Sequence, residues 1–161
     1  ETAFAQMEAI AKLDVLSIRK MQFVESGNDL IGTDTVVFSN GGATEVKLRN
    51  AIFKVSLKSP AGIVPMGEAA LAELLFPAAV EGQAAELTTE MDVIVGPKND
   101  ETIQRLIALF NVIGDPATPF TMMLDGTAEV GIRTEKGWIY QKGLAVELEF
   151  QPSIQREVLF K

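Results

Sequence analysis

The chain of 161 residues contains no histidine and no cysteine, and only one tryptophan and one tyrosine. Without cysteine there are no disulfides and no thiolate metal sites. Without histidine a Ser-His-Asp arrangement is impossible. Cations are scarce too: 14 Lys and Arg stand against 22 Asp and Glu, for a net charge of −8. Phosphate binding needs a Lys/Arg surface that releases counterions, so no nucleic acid partner is expected, and anionic membrane surfaces are disfavoured. Long apolar runs are missing as well. The longest, Leu74 to Val80, is interrupted by Pro77 and falls far below the roughly 18 residues that span a bilayer. No direct membrane insertion is expected. The chain has no Gly-rich phosphate loop and no glycosylation sequon. These absences lead to an expectation of no catalytic, cofactor-binding or metal-binding residues, no cofactor, and no enzyme activity.

What is present is alternation. Between Phe120 and Phe150 the even positions carry Phe120, Met122, Leu124, Val130, Ile132, Trp138, Tyr140, Leu144, Val146, Leu148 and Phe150. The odd positions carry Thr121, Asp125, Thr127, Glu129, Arg133, Gln141, Glu147 and Glu149, with Met123, Ile139 and Ala145 as exceptions. Successive side chains of a strand point to opposite faces, so this is a hairpin with one dry face. If even positions are dry on both strands, paired residues must have an even sum. The loop is then predicted to be Thr134-Glu135-Lys136, with Gly137 forming a bulge.

Elsewhere the reading is similar. Residues 1–11 form an N-terminal arm or short helix, with Phe4, Met7 and Ala11 on one stripe. Strand patterns follow from Leu13 to Val24 and from Leu30 to Ser39, with Ser26-Gly27-Asn28-Asp29 and Asn40-Gly41-Gly42 as breaks. Val46 to Leu57 is a long strand whose parity changes. Val46 and Leu48 share one face, whereas Phe53, Val55 and Leu57 have the opposite parity, which predicts a bulge near Asn50-Ala51. Residues 63–80 would pass for a helix on propensity, but Gly67 and Pro77 favour a strand. Leu87 to Val95 alternates cleanly. The one helix is predicted at about 100–113, with Asp100 as N-cap, Gly114 as a left-handed stop and Pro116 beyond it. Its stripe Ile103, Leu106, Ile107 and Phe110 is expected to pack as a lid on the sheet. A tail containing Val158-Leu159-Phe160 closes the chain.

The fold class this implies is mostly β: an antiparallel immunoglobulin-like β-sandwich of about seven strands with one α-helix, formed as a single domain by residues 12–161.

Four features invite chemistry. Met123-Leu124-Asp125-Gly126-Thr127 resembles the start of the haloacid dehalogenases, Asp-x-Asp-Gly-Thr, but Met123 stands where the nucleophile belongs. Glu86, Glu90 and Asp92 share one strand face and Glu147 and Glu149 another, as a solvated outer face does. Charge is segregated: residues 59–97 hold six acids and no Lys or Arg, while residues 46–58 hold Lys47, Arg49, Lys54 and Lys58 and no acid. Cross-strand pairing of the two segments accounts for this. Trp138 and Tyr140, on the dry parity, are expected in core packing.

Thr35 to Pro152 resembles the late-embryogenesis-abundant type-2 domain, also called the WHy domain. Val36-Val37-Phe38-Ser39-Asn40 looks like its strand ending in Asn, and Val46 to Leu57 like its long strand. Phe76-Pro77 to Val95 looks like its proline-preceded strand, Asp100 to Gly114 like its helix, and Met123 to Leu148 like its closing hairpin. Where the family usually has Asn-Pro, this chain has Asn40-Gly41. The resemblance implies a non-enzymatic domain with a stress-protective or protein-interaction role. It also implies export or lipid anchoring, so an envelope location is expected over a cytoplasmic one. The start at Glu1 would then follow a signal peptide or a lipid-bearing Cys. A protein partner is expected, with the chain itself a monomer or weak dimer. The alternative is a carrier holding an apolar, lipid-like ligand between the sheets.

Overall fold

The computed structural model describes residues 2–115, 117, 119–151 and 153–154. Pro116 and the Val158-Leu159-Phe160 tail lie outside them. The order of elements is α1 (Thr2–Ile10), β1 (Leu13–Ser26), β2 (Asp29–Asn40), β3 (Val46–Ser59), β4 (Gly62–Phe76), β5 (Ala85–Pro97), α2 (Asp100–Ile113), β6 (Thr121–Thr134), β7 (Gly137–Phe150) and the two-residue β8 (Ser153–Ile154). The strands join in the order β7-β6-β3-β4-β5-β2-β1-β8. All pairings are antiparallel except β1 with β8. The sheet curls until β1 meets β7. Its inner face holds the core, including Phe38, Phe53, Phe76, Leu57, Met122 and Leu124.

The seven long strands run to 12–15 residues, against the usual five or six. Strands this long in a strongly curled sheet need bulges to keep one face inward. The predicted parity change in β3 is such a bulge. Asn50 has a φ of 52°, and the β3–β6 register shifts between Arg49 and Ile52. Val46, Leu48, Ala51, Phe53, Val55 and Leu57 are all buried as a result. The strand expected over 63–80 is shorter: residues 62–76 form it, and Pro77, which cannot donate to a ladder, begins the loop that follows.

β4 and β5 are joined at only two residue pairs, Glu68↔Ile94 and Ala69↔Val93. Gly67 makes this junction possible. A Cβ there would stand 2.1 Å from the Ile94 carbonyl oxygen. The loop of residues 77–84 connects the diverging ends and folds into a tight turn. Val80 and Gln83 exchange backbone hydrogen bonds of 3.0 and 2.9 Å, and Glu81 and Gly82 both have positive φ, as a type I′ turn requires.

One helix closes each end of the curl. α2 has the predicted bounds, but Asn99 caps it in place of Asp100, its Oδ1 accepting from the Thr102 amide at 2.9 Å. Gly114 is right-handed, with φ −74°. The buried face is also rotated by about one residue's step, roughly 100°. Thr102, Leu109, Val112 and Ile113 are buried, Leu106 is half-buried, and Ile103 and Ile107 are 45% and 47% exposed. Phe110 is half-buried with its ring edge-on to Phe23, 5.3 Å between centroids. The expected lid exists, but most of the expected stripe does not make it. The same holds for α1, which takes the helical one of its two expected forms, where Phe4 and Met7 are exposed and Gln6 and Ile10 face inward. Gln6 Nε2 donates to the Ile139 carbonyl at 3.2 Å, tying α1 to β7.

Candidate functional site

The β6–β7 hairpin departs from its predicted register. Thr134 pairs with Gly137, so the loop is the two residues Glu135-Lys136. Near the turn the pairs have odd sums, such as Ile132↔Ile139 and Gly131↔Tyr140. The extra residue demanded by parity lies on β7, between the pairs Ala128↔Leu144 and Val130↔Gln141. There Gly143 takes a φ of 69°, a conformation open to glycine at no steric cost. The predicted three-residue loop is thus a two-residue turn, and the bulge lies at Gly143 and not at Gly137. Beyond the bulge, Leu144, Val146 and Leu148 return to the inner parity.

Trp138 and Tyr140 therefore stand on the outer face, opposite Arg133 and Gly131, and not in the core as expected. Their rings stack, with centroids 6.2 Å apart and planes 26° apart. Tyr140 fills the space over Gly131, where a Cβ would come within 2.5 Å of its ring. Cations from β3 lie across the pair. The Arg49 guanidinium is 3.6 Å from the Tyr140 centroid and Lys47 Nζ is 4.3 Å from the Trp138 centroid. Lys47 Nζ also donates to the Tyr140 hydroxyl at 3.2 Å. Arg49 Nη2 pairs with Glu129 at 3.1 Å and Arg133 with Glu45 at 3.7 Å. Ring faces and charges are both occupied, so this is a braced surface and not an open stacking site.

The segregated charges face one another in register across β3 and β4, Arg49 opposite Glu73 and Lys54 opposite Glu68, but the ion pair Arg49 forms is with Glu129 of β6. On β5 no cation stands opposite the acids. Glu86, Glu90 and Asp92 are exposed and stand opposite the neutral Ser39, Thr35 and Thr33 of β2. Among the described residues none of the three forms an ion pair. No cluster of three or more Asp or Glu placed to hold a metal occurs among those residues. Asp125, within the Asp-Gly-Thr motif, is exposed at mid-strand, opposite Lys54 and Glu147.

Asp34 was not singled out from the sequence. It is 0% exposed on the inner side of β2, in register between Met21 of β1 and Met91 of β5. Neither carboxyl oxygen has a hydrogen-bond partner. Burial, and secondarily the charge of Asp92, raises its pKa from 3.8 to about 7. The signal was available, because Asp34 shares the parity of Val36 and Phe38. Asn40, another buried polar residue of β2, is fully partnered. It donates to Thr44 O and Pro77 O at 3.0 and 2.9 Å and accepts from the Gly42 amide at 2.9 Å.

One groove has a volume of about 520 Å³ and is open to solvent. It lies at the β4–β5 junction, with Lys54, Pro65, Glu68, Ile94 and Arg105 among its walls. Arg105 Nη2 donates to the Val95 carbonyl there at 2.8 Å.

No protein-family model matches the chain, and no curated protein matches it in sequence. Three solved structures are similar in outline. One, of a protein from Archaeoglobus fulgidus, has 9% identity and a TM-score of 0.34, covering 87% of this chain and 98% of the other. A structural-genomics target solved by X-ray has 14% identity and a TM-score of 0.29, covering 86% of each chain. A protein from Arabidopsis thaliana solved in solution has 12% identity and a TM-score of 0.31, covering 86% and 82%. Likeness at this level does not define a shared fold. No helix among the described residues is long and apolar enough to cross a membrane.

Proposed function

We propose that this chain is a non-enzymatic domain of the late-embryogenesis-abundant type-2 kind, acting stoichiometrically by binding other proteins, with protection of those proteins under stress as the outcome. In this reading β7-β6-β3-β4 and β5-β2-β1-β8 are the two layers of an immunoglobulin-like sandwich in the cell envelope. The observation that carries it is the seam. With two residue pairs joining β4 to β5, most of both strands has a ladder partner on one side only, and an unpaired strand edge is a template for another chain. Protection of a labile enzyme during drying or freezing, at several ratios of domain to client, tests it. Protection should rise with the ratio and level off near equivalence. Its absence at equimolar ratio or above removes the protective reading. The groove of about 520 Å³ at the junction, walled partly by Pro65, Ile94 and Val95, favours a second reading as carrier of a small apolar ligand. Saturable binding of a fatty acid that Ile94→Asp abolishes would support it.

A further inference from the structure

Resting on the interaction reading, we infer that the free edge of β5 accepts an extended segment of another protein carrying Lys or Arg at alternate positions. β5 pairs with β2 along its whole length but with β4 only at Val93 and Ile94. Residues 85–92 therefore present an unpaired backbone edge about 26 Å long at 3.3 Å per residue. A strand laid along this edge satisfies those backbone groups by main-chain hydrogen bonds, whatever its sequence.

Charge selects among sequences. The outward side chains of the edge are Glu86, Thr88, Glu90 and Asp92, all exposed or at the surface. Their neighbours on β2 are Ser39, Val37, Thr35 and Thr33, none of them cationic. The whole segment 59–97 contributes six acids and no Lys or Arg. Cations of β3 and β6 are engaged elsewhere: Arg49 and Arg133 pair with Glu129 and Glu45, and Lys54 stands opposite Glu68 and Asp125. A paired strand alternates its side chains between faces with the same period as β5. Lys or Arg at every second position then falls beside Glu86, Glu90 and Asp92. The intervening positions face Leu87, Thr89 and Met91, which suits small or apolar residues. An acidic strand is excluded by like-charge contact. The pin at Gly67–Ile94 and the tight 80–83 turn hold the two ends of the seam, so the edge exists before a partner arrives and little ordering is needed on binding.

The test uses the full chain and three synthetic ten-residue peptides. One alternates Lys with Thr, a second alternates Glu with Thr, and a third repeats the Lys peptide with alternate backbone nitrogens methylated. Binding is followed by titration at two salt concentrations and by amide hydrogen exchange. The Lys peptide should bind saturably, more weakly at high salt, and slow exchange at residues 85–92. The Glu peptide and the methylated peptide should not bind. Combining Glu86→Gln, Glu90→Gln and Asp92→Asn, all surface changes, should weaken binding about tenfold, as loss of three exposed pairs predicts. Retained binding of the methylated peptide, equal binding of the Glu peptide, or unchanged exchange at 85–92 overturns the inference. If client protection persists in that case, only strand pairing falls and the interaction reading stands. If protection is absent too, both fall.

Discussion

The β6–β7 hairpin and the β4–β5 seam are built from the same alternating pattern and end in opposite conditions. In the hairpin the strands are paired along nearly all of their length, and the outer face is covered by Trp138 and Tyr140 beneath Lys47, Arg49 and Arg133. In the seam, ladder pairing stops after two pairs, and the outer face of β5 carries acids that form no ion pair among the described residues. The difference comes from where each strand is bent. Gly143 absorbs one residue inside the hairpin and lets pairing resume on both sides. Gly67 brings β4 against Ile94 at one point, and the strands separate from there. A bulge can preserve a ladder or end it, depending on whether the strand beyond it still faces its neighbour.

The largest expected effect concerns Asp34, beside the seam on β2. Its folded pKa lies above its unfolded value of 3.8, so between about pH 4 and 7 the folded state binds more protons than the unfolded state. Stability must then fall as pH rises through that window and level off above it. A shift of about three units corresponds to roughly 4 kcal/mol at most. Urea denaturation from pH 4 to 8 measures this, and Asp34→Asn should flatten the profile. A flat profile in the unaltered chain would mean that the carboxyl has found a partner.

Next is the pin. Gly67→Ala places a Cβ against the Ile94 carbonyl in a φ region that side chains rarely adopt, and should cost about 3 kcal/mol. Faster amide exchange should follow at Ala69 and Val93. A loss under about 1 kcal/mol would show the seam to be adjustable. Gly143→Ala, a milder change because nothing stands within 4 Å, should cost about 1 kcal/mol.

On the hairpin's outer face, Tyr140→Ala removes the ring over Gly131 and the cation contacts, and should cost about 1–2 kcal/mol. High salt should change that loss little, because the ring's packing is not screened. Smallest of all is Glu73→Gln, opposite Arg49, at a few tenths of a kcal/mol and vanishing with salt. A larger loss there would place the charge balance of β3 and β4 among the main supports of the fold.

Much of this architecture is legible in the residues. The parity change at Asn50-Ala51 follows from periodicity, because one face of the strand must be dry. The strand before Pro77 and the bounds of α2 follow from breaker and stop residues, and the facing of β3 cations with β4 acids from charge segregation. Others escape it for reasons that can be named. Parity requires one extra residue in the hairpin but does not say where, and moving it from Gly137 to Gly143 carries Trp138 and Tyr140 to the other face. The α2 stripe is misjudged because burial of Thr102 follows from the Asn99 cap and from the packing of α2 on β4 and β5, neither visible in the helix's own sequence. Asp34 is marked by its parity, yet a lone carboxylate in a strand looks the same whether its face ends in water or in the core.

The sequence by itself determined that the chain forms mostly antiparallel strands with a helix at 100–113, and that its acids outnumber its cations. Those properties are local or additive, and alternation, capping and composition are sufficient to set them. Only the tertiary structure decided that the sheet curls in a single order, that β4 and β5 part after two pairs, and that Asp34 is sealed inside. Such features depend on which strands meet and where the ladder stops, which is a competition among distant segments that no single stretch of sequence encodes.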